Sequence, residues 1–122
     1  MYPAEELKNR SKQFAIRIVK LFRSLPRTED ARIMGKQVLR SGTSVAANYR
    51  AVCRARSKAE FIAKIGIVVE EADETTFWLE LLVDTTEPRM RSLMSEANEL
   101  LRFSQLLNTQ PEVDGSNEPM NQ

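Results

Sequence analysis

Residues 57–83 read SKAEFIAKIGIVVEEADETTFWLELLV, and this stretch decides the fold because it predicts a long helix with a defined start. Ser57 followed by Glu60 matches the capping box, in which the serine hydroxyl caps the Glu60 amide and the Glu60 carboxylate reaches back to the Ser57 amide. Apolar residues then recur at helical spacing and predict a core-facing side of a helix that runs to about Val83. That side consists of Phe61, Ile65, Val68, Ala72, Leu79 and Val83, flanked by Ile62, Val69 and Leu82.

The opposite side of the same helix is also apolar. A helix that is apolar all round is normally buried all round, and an isolated four-helix bundle cannot bury an outer face. With Glu70, Glu71 and Glu74 at its edge, this side predicts an interface between subunits with a polar rim. A symmetric ring would join it to the basic side of a neighbour's second helix. The alternative is that the N-terminal arm or the tail folds over it. The predicted oligomer interface is Ile67, Phe77, Trp78 and Leu81.

Three more helices follow from the pattern on either side. Helix one runs from Glu5 or Ser11 to Leu25, where Pro26 ends it. Helix two begins at once, with Thr28 as its N-cap. Helix four runs from about Pro88 to Leu107. Because the connections are short, successive helices must be antiparallel neighbours, so the fold class is all-α, an up-and-down antiparallel four-helix bundle. The apolar outer side of helix three predicts that the bundle assembles into a cyclic homo-oligomer.

Helix two contains one weak point, the segment Ser41-Gly42-Thr43-Ser44. A glycine inside a helix costs about 1 kcal/mol, so the helix either breaks here or passes very close to a neighbour. We predict that it continues, because the small residues Ala46 and Ala47 also let another backbone approach.

The chain of 122 residues suits one domain. We predict an N-terminal arm over residues 1–10, the four-helix bundle over 11–108 and a disordered tail over 109–122, because TQPEVDGSNEPMNQ has almost nothing to bury. There is no apolar run of signal or membrane-spanning length, and a single cysteine gives no intrachain disulfide. A cytoplasmic protein without a membrane partner is expected.

The net charge of +1 hides a division of the chain. Residues 1–56 carry 13 basic and 4 acidic residues, a balance of +9, whereas residues 57–122 carry 5 and 13, a balance of −8. On a continuous helix two, five cations fall within an arc of about 80° and resemble a phosphate-binding stripe. Alternatively, they pair with acids of helix three, inside the bundle or across a subunit boundary. The stripe is Arg32, Lys36, Arg40, Arg50 and Arg54, extended by Arg56 and Lys58.

Nothing in the sequence indicates an enzyme. There is no histidine, which removes the most common general base, and there is no phosphate-cradling glycine loop. Arginines near Cys53 could activate its thiol, but a small core residue is the preferred interpretation. The acids Glu70, Glu71, Asp73 and Glu74 could hold Mg²⁺ and support a nuclease, but a solvated or salt-bridged face is preferred. We therefore expect no cofactor, no metal and no small-molecule substrate.

Several separated motifs occur in a recognisable order. They are LRSGTSVAANYR at 39–50, RARS at 54–57 with Glu60-Phe61, EADET at 71–75 and WLELL at 78–82, preceded by FAIRIV at 14–19. Over about residues 11–107 the chain resembles the bacterial four-helix-bundle family named for the 23S ribosomal RNA intervening-sequence protein.

The resemblance implies a homopentameric, barrel-like ring of bundles. A related accessory protein of diversity-generating retroelements has the same architecture and is associated with nucleic-acid binding. We predict a non-enzymatic homo-oligomer, most simply a pentamer, that binds RNA or DNA through basic residues of helices one and two. A structural scaffold, whose arginines serve only the subunit contacts, is the alternative. The candidate nucleic-acid positions are Lys36, Arg40, Arg50, Arg54 and Arg56.

Overall fold

The computed structural model describes the backbone of residues 4–85 and 91–114 and the side chains of residues 5–85 and 92–108. This part of the chain forms four helices and no strand. The all-helical, four-helix prediction is confirmed, while the assembly into a ring stays a prediction. The helices are α1 (Ala4–Ser24), α2 (Glu29–Cys53), α3 (Lys58–Thr85) and α4 (Arg91–Asp114).

The predicted helix caps are present at α2 and α3. The Thr28 hydroxyl accepts a hydrogen bond from the Ala31 amide at 3.4 Å. At α3 the Ser57 hydroxyl accepts from the Glu60 amide at 3.0 Å. The Glu60 carboxylate, however, accepts from the Arg56 amide at 2.9 Å, one residue before the predicted Ser57. Both caps satisfy amides that the first turn of a helix leaves without a partner.

Consecutive helices pack side by side, and the contact that closes the bundle between α1 and α4 is slighter. Their side chains form two core clusters. The first core cluster lies towards the α1–α2 turn and includes Phe14, Ile18, Val38, Leu79 and Leu82. The second core cluster lies towards the α2–α3 turn and includes Leu7, Val45, Tyr49, Ile65 and Val68.

Helix α2 continues through Ser41-Gly42-Thr43-Ser44, as predicted. A Cβ atom on Gly42 would lie 2.9 Å from Cγ1 of Ile18, so the glycine permits a close approach of α1 to α2. Next to it, Ser41 and Thr75 are fully buried, and their hydroxyl oxygens lie 2.8 Å apart. This hydroxyl pair joins α2 to α3.

The predicted domain boundaries lie inside helices. Residues 4–10 belong to α1, and Leu7 is 6% exposed within the second core cluster. Leu7 extends the apolar spacing of Phe14 and Ile18 by two turns, which is why the bundle begins before residue 11. The backbone of α4 continues to Asp114, past the predicted end at Leu107. Residues 115–122 of the predicted tail lie outside the described residues.

No helix in the described ranges is both long enough and apolar enough to cross a membrane.

Candidate nucleic-acid interface

The basic residues of α2 lie on the side of the helix that faces away from the core. Ala31, Val38 and Val45 are buried on the inner side. The outer side, here called the basic face, presents five exposed cations in one row: four follow the 3.6-residue period of α2, and Arg54 lies at its C-cap. The row extends for about 33 Å at 1.5 Å per residue. It consists of Arg32, Lys36, Arg40, Arg50 and Arg54.

Arg40 differs from the others because it pairs with two acids of α3. Its Nη2 donates a short hydrogen bond to Glu74, and its Nη1 lies 3.3 Å from Oε1 of Glu71. The Trp78 indole also donates to the Glu74 carboxylate, at 3.1 Å. The hydrogen bond from Arg40, followed by that from Trp78, holds the pKa of Glu74 below its ordinary value. Arg40 therefore follows the alternative interpretation, in which cations of helix two pair with acids of helix three inside the bundle. It contributes to the contact between α2 and α3.

The remaining predicted cations are unpaired. Lys36, Arg50, Arg54 and the exposed Arg56 form no ion pair with any acid among the residues that the structure describes. Exposed cations without a carboxylate neighbour leave a positive potential that attracts polyanions. Four of the five predicted nucleic-acid positions are thus available to phosphate groups.

Two further arginines lie near one end of the basic face; helix one was part of the predicted binding surface, but neither arginine was among the named positions. Arg23 lies in the last turn of α1 and Arg27 lies in the turn before α2, and both are exposed. Two neighbouring clefts at this turn share Arg27 and Arg32 in their walls. The sequence signal that could have found these two arginines is that they lie on either side of Pro26. A search restricted to the residues of α2 does not include them.

The predicted oligomer interface on α3 is exposed only in part. Ile67 and Phe77 are 43% and 48% exposed. Trp78 and Leu81 are partly buried and pack against the first core cluster. The Phe77 and Trp78 rings meet edge to face, with centroids 4.9 Å apart. Spacing on a helix gives the direction of each Cβ atom, but a long side chain can lean back over the core from there.

Cys53 and the acids of α3 were the two groups that the sequence offered for reactive chemistry. Cys53 is exposed at the end of α2, so its assignment as a core residue is wrong. Partial burial of its sulfur still raises the pKa of the thiol, despite the nearby cation Lys8. Among the described residues, no three metal-ligating side chains lie close enough together to hold an ion. Glu71 and Glu74 instead bind Arg40.

Comparisons with known proteins agree with this architecture. Residues 5–108 match the family described as 23S rRNA-intervening sequence protein. The fold is similar to a crystal structure from Bacteroides thetaiotaomicron, described as a protein with unknown function from the S23 ribosomal protein family. The two are 39% identical with a TM-score of 0.75, over 84% of this chain and 97% of that one. No curated protein matches the chain. The chain thus belongs to the 23S rRNA-intervening sequence protein family.

Proposed function

We propose that this protein is a cytoplasmic, non-enzymatic homo-oligomer, most simply a pentamer, that binds RNA or DNA through the basic face of α2. The observation that carries the proposal is the row of exposed cations on that face. Lys36, Arg50 and Arg54 have no acidic partner among the described residues. Phosphate groups are their natural partners, since guanidinium groups bind phosphate in a bidentate manner and lysine binds it as a point charge.

The shape of the basic face suits a nucleic-acid backbone rather than a single small anion. Cations repeated along an extended helix can contact successive phosphates without reading the bases. Such binding weakens steeply as salt rises, because each contact releases counterions. The acidic half of the chain, with a balance of −8 over residues 57–122, would repel the same ligand. This contrast favours binding on one side of the bundle.

A structural scaffold is the second candidate, and two observations favour it. Arg40 already pairs with Glu71 and Glu74 of α3, so the same pairing could continue between subunits. In addition, Ile33 is 55% exposed within the basic face, and Phe77 is exposed on α3. A subunit contact between the basic face and α3 would bury both side chains. In this case the remaining cations would contact acids of a neighbouring copy.

Fluorescence anisotropy with a labelled single-stranded RNA, measured over a series of salt concentrations, tests the nucleic-acid function. The variant Arg50→Gln/Arg54→Gln removes two positive charges from the basic face. We expect weaker binding and a salt dependence shallower by about 1.4 in log–log slope, from about 0.7 per phosphate contact on a single strand. The control Arg102→Glu changes the net charge equally on α4, where Arg102 is exposed, and should have a much smaller effect.

The two candidates give different results in this experiment. Equal losses in both variants would show that only total charge matters and would contradict a binding site on α2. If the wild-type protein shows no salt-dependent binding, the nucleic-acid function is wrong. If Arg50→Gln/Arg54→Gln instead dissociates the oligomer, as seen by light scattering, the arginines serve subunit contacts and the scaffold is favoured.

A further inference from the structure

Several cations lie close together at the turn between α1 and α2, whereas those of the basic face lie in a row along a helix. Two adjoining clefts at this turn, here called the corner cleft, have four cations in their walls. Glu29 is the single acid among these lining residues. None of the four cations forms an ion pair within the described part of the chain. They are Arg23, Arg27, Arg32 and Lys36.

The corner cleft also has an apolar wall, and Gly35 accounts for it. A Cβ atom on Gly35 would lie 2.5 Å from Leu25 Cδ1 and 3.2 Å from Phe22 Cδ1. The glycine therefore lets Phe22 of α1 and Leu25, which directly follows α1, lie directly on α2. Pro26 lines the same cleft as Phe22 and Leu25, and the half-exposed Ile33 lines the adjoining one.

Converging guanidinium groups favour concentrated negative charge. A phosphate within a strand carries one negative charge, whereas a terminal phosphate monoester carries about −1.5 to −2 at neutral pH. A neighbouring apolar wall suits the face of a base or sugar, and arginine planes also stack on unpaired bases. The combination of cations and apolar surface fits a nucleotide with a terminal phosphate better than it fits an inorganic ion.

We propose that the corner cleft binds the phosphorylated end of a nucleic-acid strand. The terminal phosphate lies among Arg23, Arg27 and Arg32, and the end nucleotide lies against Phe22 and Pro26. This inference rests on the proposed function, because the rest of the strand follows the basic face from Lys36 towards Arg54. A free nucleoside monophosphate has the same chemistry, so the experiment must separate the two sources.

The test compares three forms of one short, internally labelled single-stranded RNA, with a 5′-phosphate, with a 3′-phosphate or with hydroxyls at both ends. At equal salt, one phosphorylated form should bind about tenfold tighter than the hydroxyl form, because it adds charge-assisted hydrogen bonds. Arg27→Gln/Arg32→Gln should bring that ratio to about one. The control Arg50→Gln/Arg54→Gln should weaken all three forms equally and keep the ratio. Unchanged circular dichroism melting would show that the exposed substitutions leave the fold intact.

Each other result contradicts the inference in a distinguishable way. Equal, salt-dependent binding of all three forms would overturn the corner cleft as an end-binding site but leave the proposed function standing. Binding of a fluorescent nucleoside monophosphate without any difference among the strands would assign the cleft to free nucleotides. Dissociation of the oligomer by Arg27→Gln/Arg32→Gln would assign it to a subunit contact. No binding of any RNA would overturn both proposals.

Discussion

Gly42 and Gly66 both lie inside helices, but the space beside them differs. Alanine at Gly42 would place Cβ against the branched Ile18 side chain, which is fully buried and cannot move away easily. At Gly66 nothing lies within 4 Å of the same atom. We expect Gly42→Ala to lower the free energy of unfolding by about 1–3 kcal/mol, the usual cost of overpacking a core. Gly66→Ala should raise it by about 0.5–1 kcal/mol.

Urea unfolding measures the free energy of unfolding of each variant. Gly66→Ala is the matched control, because it makes the same substitution in another helix. If Gly42→Ala were as stable as Gly66→Ala, the close approach of α1 to α2 would be wrong.

Glu74 should give the protein a small stability component that depends on pH. Its hydrogen bonds from Arg40 and Trp78 lower its pKa below the ordinary value of 4.5. A lowered carboxylate pKa contributes stability above the unfolded-state value, and the contribution disappears as pH falls through the folded-state value. Because the pair is exposed and screened by solvent, Glu74→Gln should cost at most about 1 kcal/mol at neutral pH.

Urea unfolding at neutral pH and in acid would test this dependence. The cost of Glu74→Gln should shrink towards zero below about pH 4.5. The control Glu80→Gln, on the same helix and exposed, should change little at either pH. A cost that stays constant in acid would mean that the charge of Glu74 contributes nothing.

For single residues, the sequence predicts which way a side chain points better than it predicts which residues that side chain contacts. The exposure of Arg50 and Arg54 follows from helical period alone, and the structure agrees. The pairing of Arg40 with Glu71 and Glu74 was one of two open alternatives, because it depends on the distance between α2 and α3. The partial burial of Trp78 depends on how its ring leans over the first core cluster, which no spacing rule contains.

Between elements, the Ser41–Thr75 pair should fix how α2 and α3 align. Thr75 has one hydroxyl proton and its oxygen lies 2.7 Å from the Glu71 carbonyl, so Ser41 supplies the proton between the two hydroxyls. Thr75→Val would leave the buried Ser41 hydroxyl without this acceptor, at a cost of about 1–3 kcal/mol. Ser41→Ala should cost less, since Thr75 can still donate to Glu71.

A double-mutant cycle with these two substitutions measures the coupling by urea unfolding. We expect the double variant to be about 0.5–3 kcal/mol more stable than the sum of the single effects predicts. Strict additivity would show that the two hydroxyls do not interact across the helices.

Whole helices and the turns between α1, α2 and α3 were largely predictable, whereas the start of α1 and the end of α4 were not. The capping residues Thr28 and Ser57 and the stop at Pro26 placed the turns correctly, because capping is a local interaction. The start of α1 was ambiguous between Glu5 and Ser11 because the first two turns are polar apart from Leu7. The burial of Leu7 depends on Val45 and Tyr49 in the second core cluster, and both residues are distant from Leu7 in sequence.

For the whole molecule, the exposed Phe77 on α3 tests the proposed self-association. Phe77→Glu places a charge where a neighbouring copy would bury an aromatic ring, so it should shift the oligomer to monomers. Because about half of the ring is exposed, the bundle itself should stay folded. Sedimentation velocity measures the assembly, and Trp78 fluorescence should respond too, since its ring touches Phe77.

Ile16→Glu provides the matched control. Ile16 is a partly exposed apolar residue on α1, outside the predicted interface, so its charged variant should assemble normally. Equal dissociation by both variants, or a wild-type protein that is monomeric at high concentration, would contradict an interface centred on α3.

The packing order of the helices separates positive from negative charge across the bundle despite the small net charge. Neighbouring α1 and α2 hold most of the basic residues, and neighbouring α3 and α4 hold most of the acids. An external electric field would therefore orient the molecule more strongly than it would move it. At neutral pH, close to its isoelectric point of about 7.9, the protein should bind to both cation- and anion-exchange resins, each through a different side. A polyanion near a single bundle would attract α1 and α2 and repel α3 and α4.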